Sequence, residues 1–394
     1  MTGKVSALFA ALAVLAALVG ACSSPTQDES APVTTAADTT PSDTTPSDVA
    51  PVFDFSAVDP IVGAYVEDQG LDGAGLVVVH RDHGVVHHQH WGQFDEDRVS
   101  LVASSTKMVT ATVLLNLQDR GLLDIDAPVA EQTGWEPTGY AITPAQLLSN
   151  SSGLIGLVEG LLFPAYLCQF RTDGTLSECG RQIFTTEADD SDVVAPDTEF
   201  RYGGGQWQVA GAVAEVVSGQ PWNELVDEVV FGPCGLESTG YNNHFGQFAP
   251  GFGYPGRFDG DPSVLEPTDN PNMEGGMYTT TGDYAQLLLM QLRDGMCGDT
   301  RVLSPESLEL MHSDRIARQY DGSAAPGLGY GLGWWVDRDS GIVSDPGAYG
   351  SVPWLDLDDG YGAFLVIEDS GPVGQRLAEL LQDPVDEAIA AALD

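Results

Sequence analysis

Hydrophobic and polar positions fall into three regimes along this chain. Near the start of the folded part, Gly73-Ala74-Gly75-Leu76-Val77-Val78-Val79-His80 is a short apolar run rich in β-branched residues. The turn Asp82-His83-Gly84 follows, and then Gly84-Val85-Val86-His87, so the pattern predicts a β-hairpin. Asp59 to Gln69 just before it carries helical spacing. From about Leu122 to Ser304, amphipathic helical stretches alternate with loops rich in Gly, Pro and Asp. Strand-like runs return at Tyr330–Val336, Gly347–Leu355 and Tyr361–Ile367, and Gly374–Leu393 reads as a closing helix. Strands at both ends with helices between predict an α+β (α/β) fold, in which both chain ends build one antiparallel sheet beside a helical subdomain. The expected division is 53–120 with 320–394 for the sheet part and 121–319 for the helical part. Roughly 340 residues in the stretch 53–394 can bury a large core.

The first 52 residues follow another pattern. Met1-Thr2-Gly3-Lys4 precedes an apolar stretch from Val5 to Val19 and then Gly20-Ala21-Cys22, the order of a secretory leader over residues 1–21. The stretch is short for a membrane span. Val19-Gly20-Ala21-Cys22 resembles the bacterial lipobox, which implies a lipidated Cys22. Residues 22–52, rich in Ser, Thr, Pro and Asp, read as a disordered tether. The expectation is an exported, monomeric protein held to the extracytoplasmic face of the membrane by a lipid anchor.

Composition narrows the function further. Acidic residues number 58 against 15 lysines and arginines, a net charge of -43. A surface of that sign repels phosphate backbones, which excludes nucleic acid as a partner. Of the 5 cysteines, Cys22 belongs to the leader junction, which leaves Cys168, Cys179, Cys234 and Cys297. An even remainder in an exported chain suggests two bridges; Cys168–Cys179 with Cys234–Cys297 is the preferred pairing of the three possible.

The chemistry is concentrated at one place. Apart from Lys4, the chain holds a single lysine, Lys107, three residues after Ser104 in Ala103-Ser104-Ser105-Thr106-Lys107-Met108. Everywhere else basic charge is carried by arginine, which keeps its proton at any pH a protein survives. A buried lysine can lose its proton, and spacing of three on a helix brings it onto the face of the serine. The expectation is a nucleophile activated by an uncharged or nearly uncharged amine. The apolar run from Val109 to Leu123 predicts that this helix is enclosed.

Beyond these residues the chain resembles a family, the penicillin-recognising serine hydrolases, in the class C beta-lactamase-like branch with its family VIII esterases. Ser104-Ser105-Thr106-Lys107 matches the S-x-x-K box, and Leu122–Val129 matches the L-D-L-D-x-P-V segment. Ile142–Leu154 is similar to I-T-x-x-x-L-L-x-H-x-S-G-L, and Gly275–Asp283 to G-G-L-x-S-T-x-x-D. Phe200-Arg201-Tyr202 with its glycine run is similar to the box carrying the catalytic tyrosine. The resemblance implies that Ser104 forms an acyl-enzyme while Lys107 and Tyr202 share the proton transfers, with no cofactor and no metal. A phenolate beside an ammonium is a reasonable base near neutrality. The substrate class it implies is small esters or amides. A beta-lactamase or D-Ala-D-Ala carboxypeptidase is the alternative, and a domain that acylates and stalls is a second.

Two positions depart from the family. Tyr202-Gly203-Gly204 has glycine where Y-x-N has asparagine, and Gln206 is a candidate replacement amide. The third box, K-T-G or H-x-G, aligns on Ala348-Tyr349-Gly350, which lacks a cation and so disfavours carboxylate-bearing substrates. In that register the backbone amides of Ser104 and Ser351 form the oxyanion hole, and Asn150, Gln206, Tyr349 and Gly350 contact substrate. His80, His83, His87, His88 and His90 crowd the first hairpin without completing a metal pattern, and His244 and His312 have no triad motif around them. Trp334, Trp335 and Trp354 are candidates for an apolar pocket or for core.

Overall fold

The computed structural model describes residues 51–136, 139–157, 163–186, 192–247 and 262–393. The leader, Cys22 and nearly all of the tether lie outside them. The strands are β1 (Gly73–His80), β2 (Gly84–Gly92), β3 (Ser100–Leu101), β4 (Gly240–Tyr241), β5 (Met277–Thr279), β6 (Met296–Cys297), β7 (Thr300–Arg301), β8 (Leu328–Tyr330), β9 (Trp335–Asp337), β10 (Val343–Ser344), β11 (Val352–Asp356) and β12 (Tyr361–Val366). Seven of them make one sheet in the order β2-β1-β12-β11-β10-β9-β8. Its pairings are antiparallel, and the first and last thirds of the chain meet where Val77 faces Phe364. The fold expected from the two chain ends is the fold observed.

β1 explains how the sheet is covered. All eight of its residues are buried, as suits a central strand with packing on both faces. Leu76 and Val78 face a layer made by α1 (Asp59–Gln69) and the closing helix, where Val62, Val66, Leu377, Leu381 and Val385 pack. Val77 and Val79 face the larger core, shared with α2 (Lys107–Asp119), α3 (Leu176–Thr185), α4 (Gly205–Ser218) and α5 (Thr281–Leu292). The closing helix, α6, spans Gly371–Leu393. α5, assigned by sequence to the helical part, lies on the sheet instead: Tyr284 stacks on Phe364 of β12 with centroids 4.0 Å apart.

The C-terminal strands differ in detail from the sequence pattern. Tyr330–Val336 is two strands, β8 and β9, that fold back on one another. Gly333 sits between them at φ 89°, where a Cβ would come within 3.1 Å of the Lys107 carbonyl oxygen. Only glycine allows that approach. Gly347–Leu355 likewise splits into a turn and β11, while the short β10 before it escaped notice. Two disulfides, Cys168–Cys179 and Cys234–Cys297, tie the helical region, the second joining segments 63 residues apart. No helix among the described residues is long and apolar enough to cross a membrane.

Candidate active site

The nucleophile candidate sits where β3 gives way to a helix. A 3-10 turn over Ala103–Thr106 leads directly into α2 at Lys107. Ala103 has φ 44°, a left-handed conformation that costs a non-glycine residue on the order of 1 kcal/mol or more and persists only where neighbours enforce it. Here they do. The Ser105 hydroxyl donates to the Asp345 carbonyl at 2.7 Å, and the Ser351 hydroxyl to the Val102 carbonyl at 2.7 Å. The Met277 amide donates to the Thr106 hydroxyl at 3.1 Å, and the Tyr284 hydroxyl to the Ser105 carbonyl at 3.0 Å. Ser104 is the one half-buried residue of the turn, between the buried Ala103, Ser105 and Thr106.

Lys107 is fully buried, as are the next ten residues of α2, and its Nζ donates to Ser104 Oγ at 2.9 Å and to the Glu274 carbonyl at 3.0 Å. Glu274 Oε2 lies 3.9 Å from the same nitrogen. Burial by itself pushes the amine down, but the Tyr202 oxygen, the Glu274 carboxylate and Asp345 outweigh it and hold Lys107 above the ordinary lysine range. These surroundings favour the protonated amine, against the expectation of an uncharged lysine. The reason lies in three distant segments that place oxygen ligands around it. No local sequence window contains them.

Tyr202 completes the group. Its ring centroid is 4.8 Å from Lys107 Nζ, and its hydroxyl hydrogen-bonds with Ser104 and Lys107. Burial raises this phenol above the ordinary tyrosine value, with the Lys107 ammonium pulling the other way. One wall behind it is aromatic: Trp335 at 5.1 Å and Tyr330 at 6.2 Å, with Phe200 against both. Of the three tryptophans singled out by sequence, only Trp335 stands here; Trp334 and Trp354 are core on either side of the sheet.

Asn150 and Gln206 serve the tyrosine loop. Asn150 Oδ1 accepts from the Gly203 amide at 2.9 Å, Gln206 Nε2 at 3.1 Å and Trp207 Nε1 at 2.9 Å. Gln206 Nε2 also donates to the Arg201 and Gly203 carbonyls, and its Oε1 accepts from Ser152. Both residues are fully buried, so the structure gives these expected substrate contacts an internal task. Sequence reasoning passed over Glu274, although it directly precedes the Gly275-Gly276 pair quoted for the family.

In the third-box region, β10 ends against the nucleophile turn at Asp345, which is fully buried with neither carboxylate oxygen hydrogen-bonded. Burial raises its carboxyl well above the ordinary value, Lys107 opposing. The triplet Asp345-Pro346-Gly347 ends in glycine as the third box does, and its Gly347 backbone lies against Val102. Tyr349 instead joins its hydroxyl to His244 Nε2 at 2.8 Å, and Gly350, at φ 81°, packs on Ile367. The Ser351 side chain supports the turn from behind.

The remaining histidines lie away from the serine. His88 and His90 share the Thr281 hydroxyl at 2.7 and 3.1 Å, His87 pairs with Asp59 at 3.0 Å, and His80 and His83 stack on each other. Among the described residues no three or more His, Cys, Asp or Glu converge as metal ligands. His312 is bonded to Gln291 at 2.6 Å. An alcohol, an amine and a phenol grouped at a half-buried serine can deprotonate and aim one nucleophile.

Comparison with known proteins identifies the family. The beta-lactamase family model matches residues 58–384. The chain is 27% identical over 309 residues to "Penicillin-binding protein 4" of Amycolatopsis lactamdurans, covering 74% of this chain and 77% of that one. It is 28% identical over 318 residues to "Esterase EstB" of Burkholderia gladioli, covering 70% and 75%. A solved Bacteroides dorei DSM 17855 protein that carries the beta-lactamase name superposes with a TM-score of 0.66 at 27% identity, over 85% of this chain and 99% of that one. Matched over most of its length and built on the same fold, the chain belongs to the beta-lactamase family of serine hydrolases.

Proposed function

We propose that this protein is an exported serine hydrolase that cleaves small esters through an acyl-Ser104 intermediate. The observation that carries the reading is the 2.9 Å contact between the buried Lys107 amine and the half-buried Ser104 hydroxyl. As the Ser104 oxygen attacks the substrate carbonyl, its proton passes to the Tyr202 oxygen, with the Lys107 ammonium stabilising the phenolate that accepts it. Tyr202 then protonates the leaving alcohol, and a water attacking the acyl carbon returns the sequence to its start. Negative charge on the tetrahedral oxygen would be met by the Ser104 amide and a second amide from the 347–351 segment, where Ser351 was expected to supply it. Ala348 supports the preference for substrates without a carboxylate, because in the third-box register it leaves no cation where the family carries one. The aromatic wall of Trp335, Tyr330 and Phe200 favours an apolar group beside Tyr202.

Placement outside the cytoplasm rests on the leader-like first 21 residues and is compatible with the two disulfides; the anchor at Cys22, the tether to residue 52 and the two-part catalytic domain belong to the same proposal. The test is a fluorophosphonate probe with peptide mapping, paired with hydrolysis of a p-nitrophenyl ester. Label on Ser104 is expected, with turnover lost in Ser104→Ala and nearly as much in Lys107→Ala, by several orders of magnitude. Unchanged hydrolysis in Ser104→Ala sinks the assignment. Similarity to a penicillin-binding protein favours one second reading, a beta-lactamase or D-Ala-D-Ala carboxypeptidase, which faster turnover of nitrocefin or a D-Ala-D-Ala peptide than of esters would select. A persistent adduct without turnover would select the stalled acyl-binding domain.

A further inference from the structure

The second box lacks its asparagine for a steric reason. Gly203 and Gly204 have φ 68° and 81°, and a Cβ on Gly204 would lie 2.9 Å from both the Gly156 carbonyl carbon and the Leu157 amide nitrogen. No side chain can grow from position 204 toward Lys107 without displacing backbone. The oxygen that faces the amine comes from elsewhere. Glu274, 5% exposed, accepts the Gly204 amide at 2.8 Å through the same Oε2 that stands 3.9 Å from Lys107 Nζ, while its own carbonyl accepts from that nitrogen at 3.0 Å. A Cβ on Gly203 would come within 2.6 Å of Oε2, so the glycine pair clears the space that the carboxylate fills.

We propose that Glu274 is a positioning residue that replaces the missing side-chain amide, holding the Lys107 ammonium toward Ser104 and fixing the Tyr202 loop through the Gly204 amide. The inference rests on the hydrolase reading for its catalytic consequence but not for its electrostatic one. A carboxylate does more than an amide in this place. It adds a negative charge to a pocket in which Lys107 also faces Tyr202 and Asp345 and lies 5.7 Å from the Trp207 ring centroid, and so favours the protonated amine.

The chain supplies its own reporter, because Lys107 is the sole lysine once Lys4 is changed. In full-length protein carrying Lys4→Arg and labelled with side-chain ¹⁵N-lysine, NMR follows the titration of one amine. Glu274→Gln keeps an oxygen for the Gly204 amide and removes the charge. The Lys107 titration is expected to fall by about one pH unit or more relative to Glu274. On an ester substrate, kcat is expected to drop about 10- to 100-fold with KM little changed, and the rising limb of the pH profile to move to lower pH. Glu274→Ala should cost more, and a melting curve on each variant separates unfolding from repositioning. A Lys107 signal that titrates at the same pH in wild type and Glu274→Gln overturns the assignment whatever the activity. If Ser104→Ala hydrolyses esters normally, the hydrolase reading fails, while the titration still decides the role of Glu274.

Discussion

Lys107 and Ser104 are joined by a 2.9 Å hydrogen bond across the point where a 3-10 turn becomes α2. Three residues on one helix face bring the groups near, but the charge on the amine depends on what surrounds it. The oxygens of Tyr202, Glu274 and Asp345 favour its protonated form, so in the proposed mechanism the proton acceptor is the phenolate form of Tyr202, and burial raises that phenol above the usual tyrosine value.

The pH profile follows from this direction. Below the Tyr202 pKa the phenolate fraction grows about tenfold per pH unit, and Lys107, also raised, stays protonated over the same window. With a neutral ester, kcat/KM is expected to climb from neutrality into the alkaline range. A profile that peaks below pH 7 and declines toward pH 9 would remove Tyr202 as the base.

Asp345 carries a prediction about stability. Its folded-state pKa lies well above the ordinary 3.8 because burial disfavours its charge, with Lys107 opposing. An acid raised on folding contributes stability that is complete below its unfolded pKa and drains as pH rises toward the folded value. Asp345→Asn does not titrate and should therefore be the more stable protein at pH 7, by on the order of 1 kcal/mol, with the advantage gone near pH 3. Melting curves of both proteins between pH 3 and pH 8 check this; a constant difference across that range would mean that Asp345 does not titrate as its burial requires.

Asn150 is expected to act on catalysis through the loop it holds. Its Oδ1 accepts three buried donors around Tyr202, and Asn150 itself sits at φ 54°, where alanine is strained. Asn150→Ala leaves the Gly203 amide and Trp207 Nε1 without that acceptor and should cost roughly 2–4 kcal/mol by denaturant unfolding, together with a loss in kcat as Tyr202 moves. A variant as stable as wild type that loses only substrate affinity would return Asn150 to the substrate-contact role first expected for it.

Much of the frame was legible in the amino-acid order. Asp59–Gln69 and Gly73–His80 are the helix and strand that their patterns predict, because an eight-residue run buried on both faces has few other ways to pack. The S-x-x-K spacing named Ser104 and Lys107, since contact over three helical residues is a local matter. Less legible were Tyr330–Val336 and Gly347–Leu355. Their glycines are read one way by strand propensity and another by the close backbone approaches at Gly333 and Gly347, which only the partner segment imposes.

Periodicity and motif spacing thus pointed to the fold class, the candidate nucleophile and its amine, all legible from neighbouring positions in the chain. Tertiary structure alone decided which oxygens surround that amine and brought Glu274, the proposed substitute for the absent asparagine, beside it. Glu274 lies 167 positions from Lys107, and Asp345, just past β10, is farther still along the chain. Coulomb interaction and desolvation depend on distances through space, and those exist only once the sheet has closed.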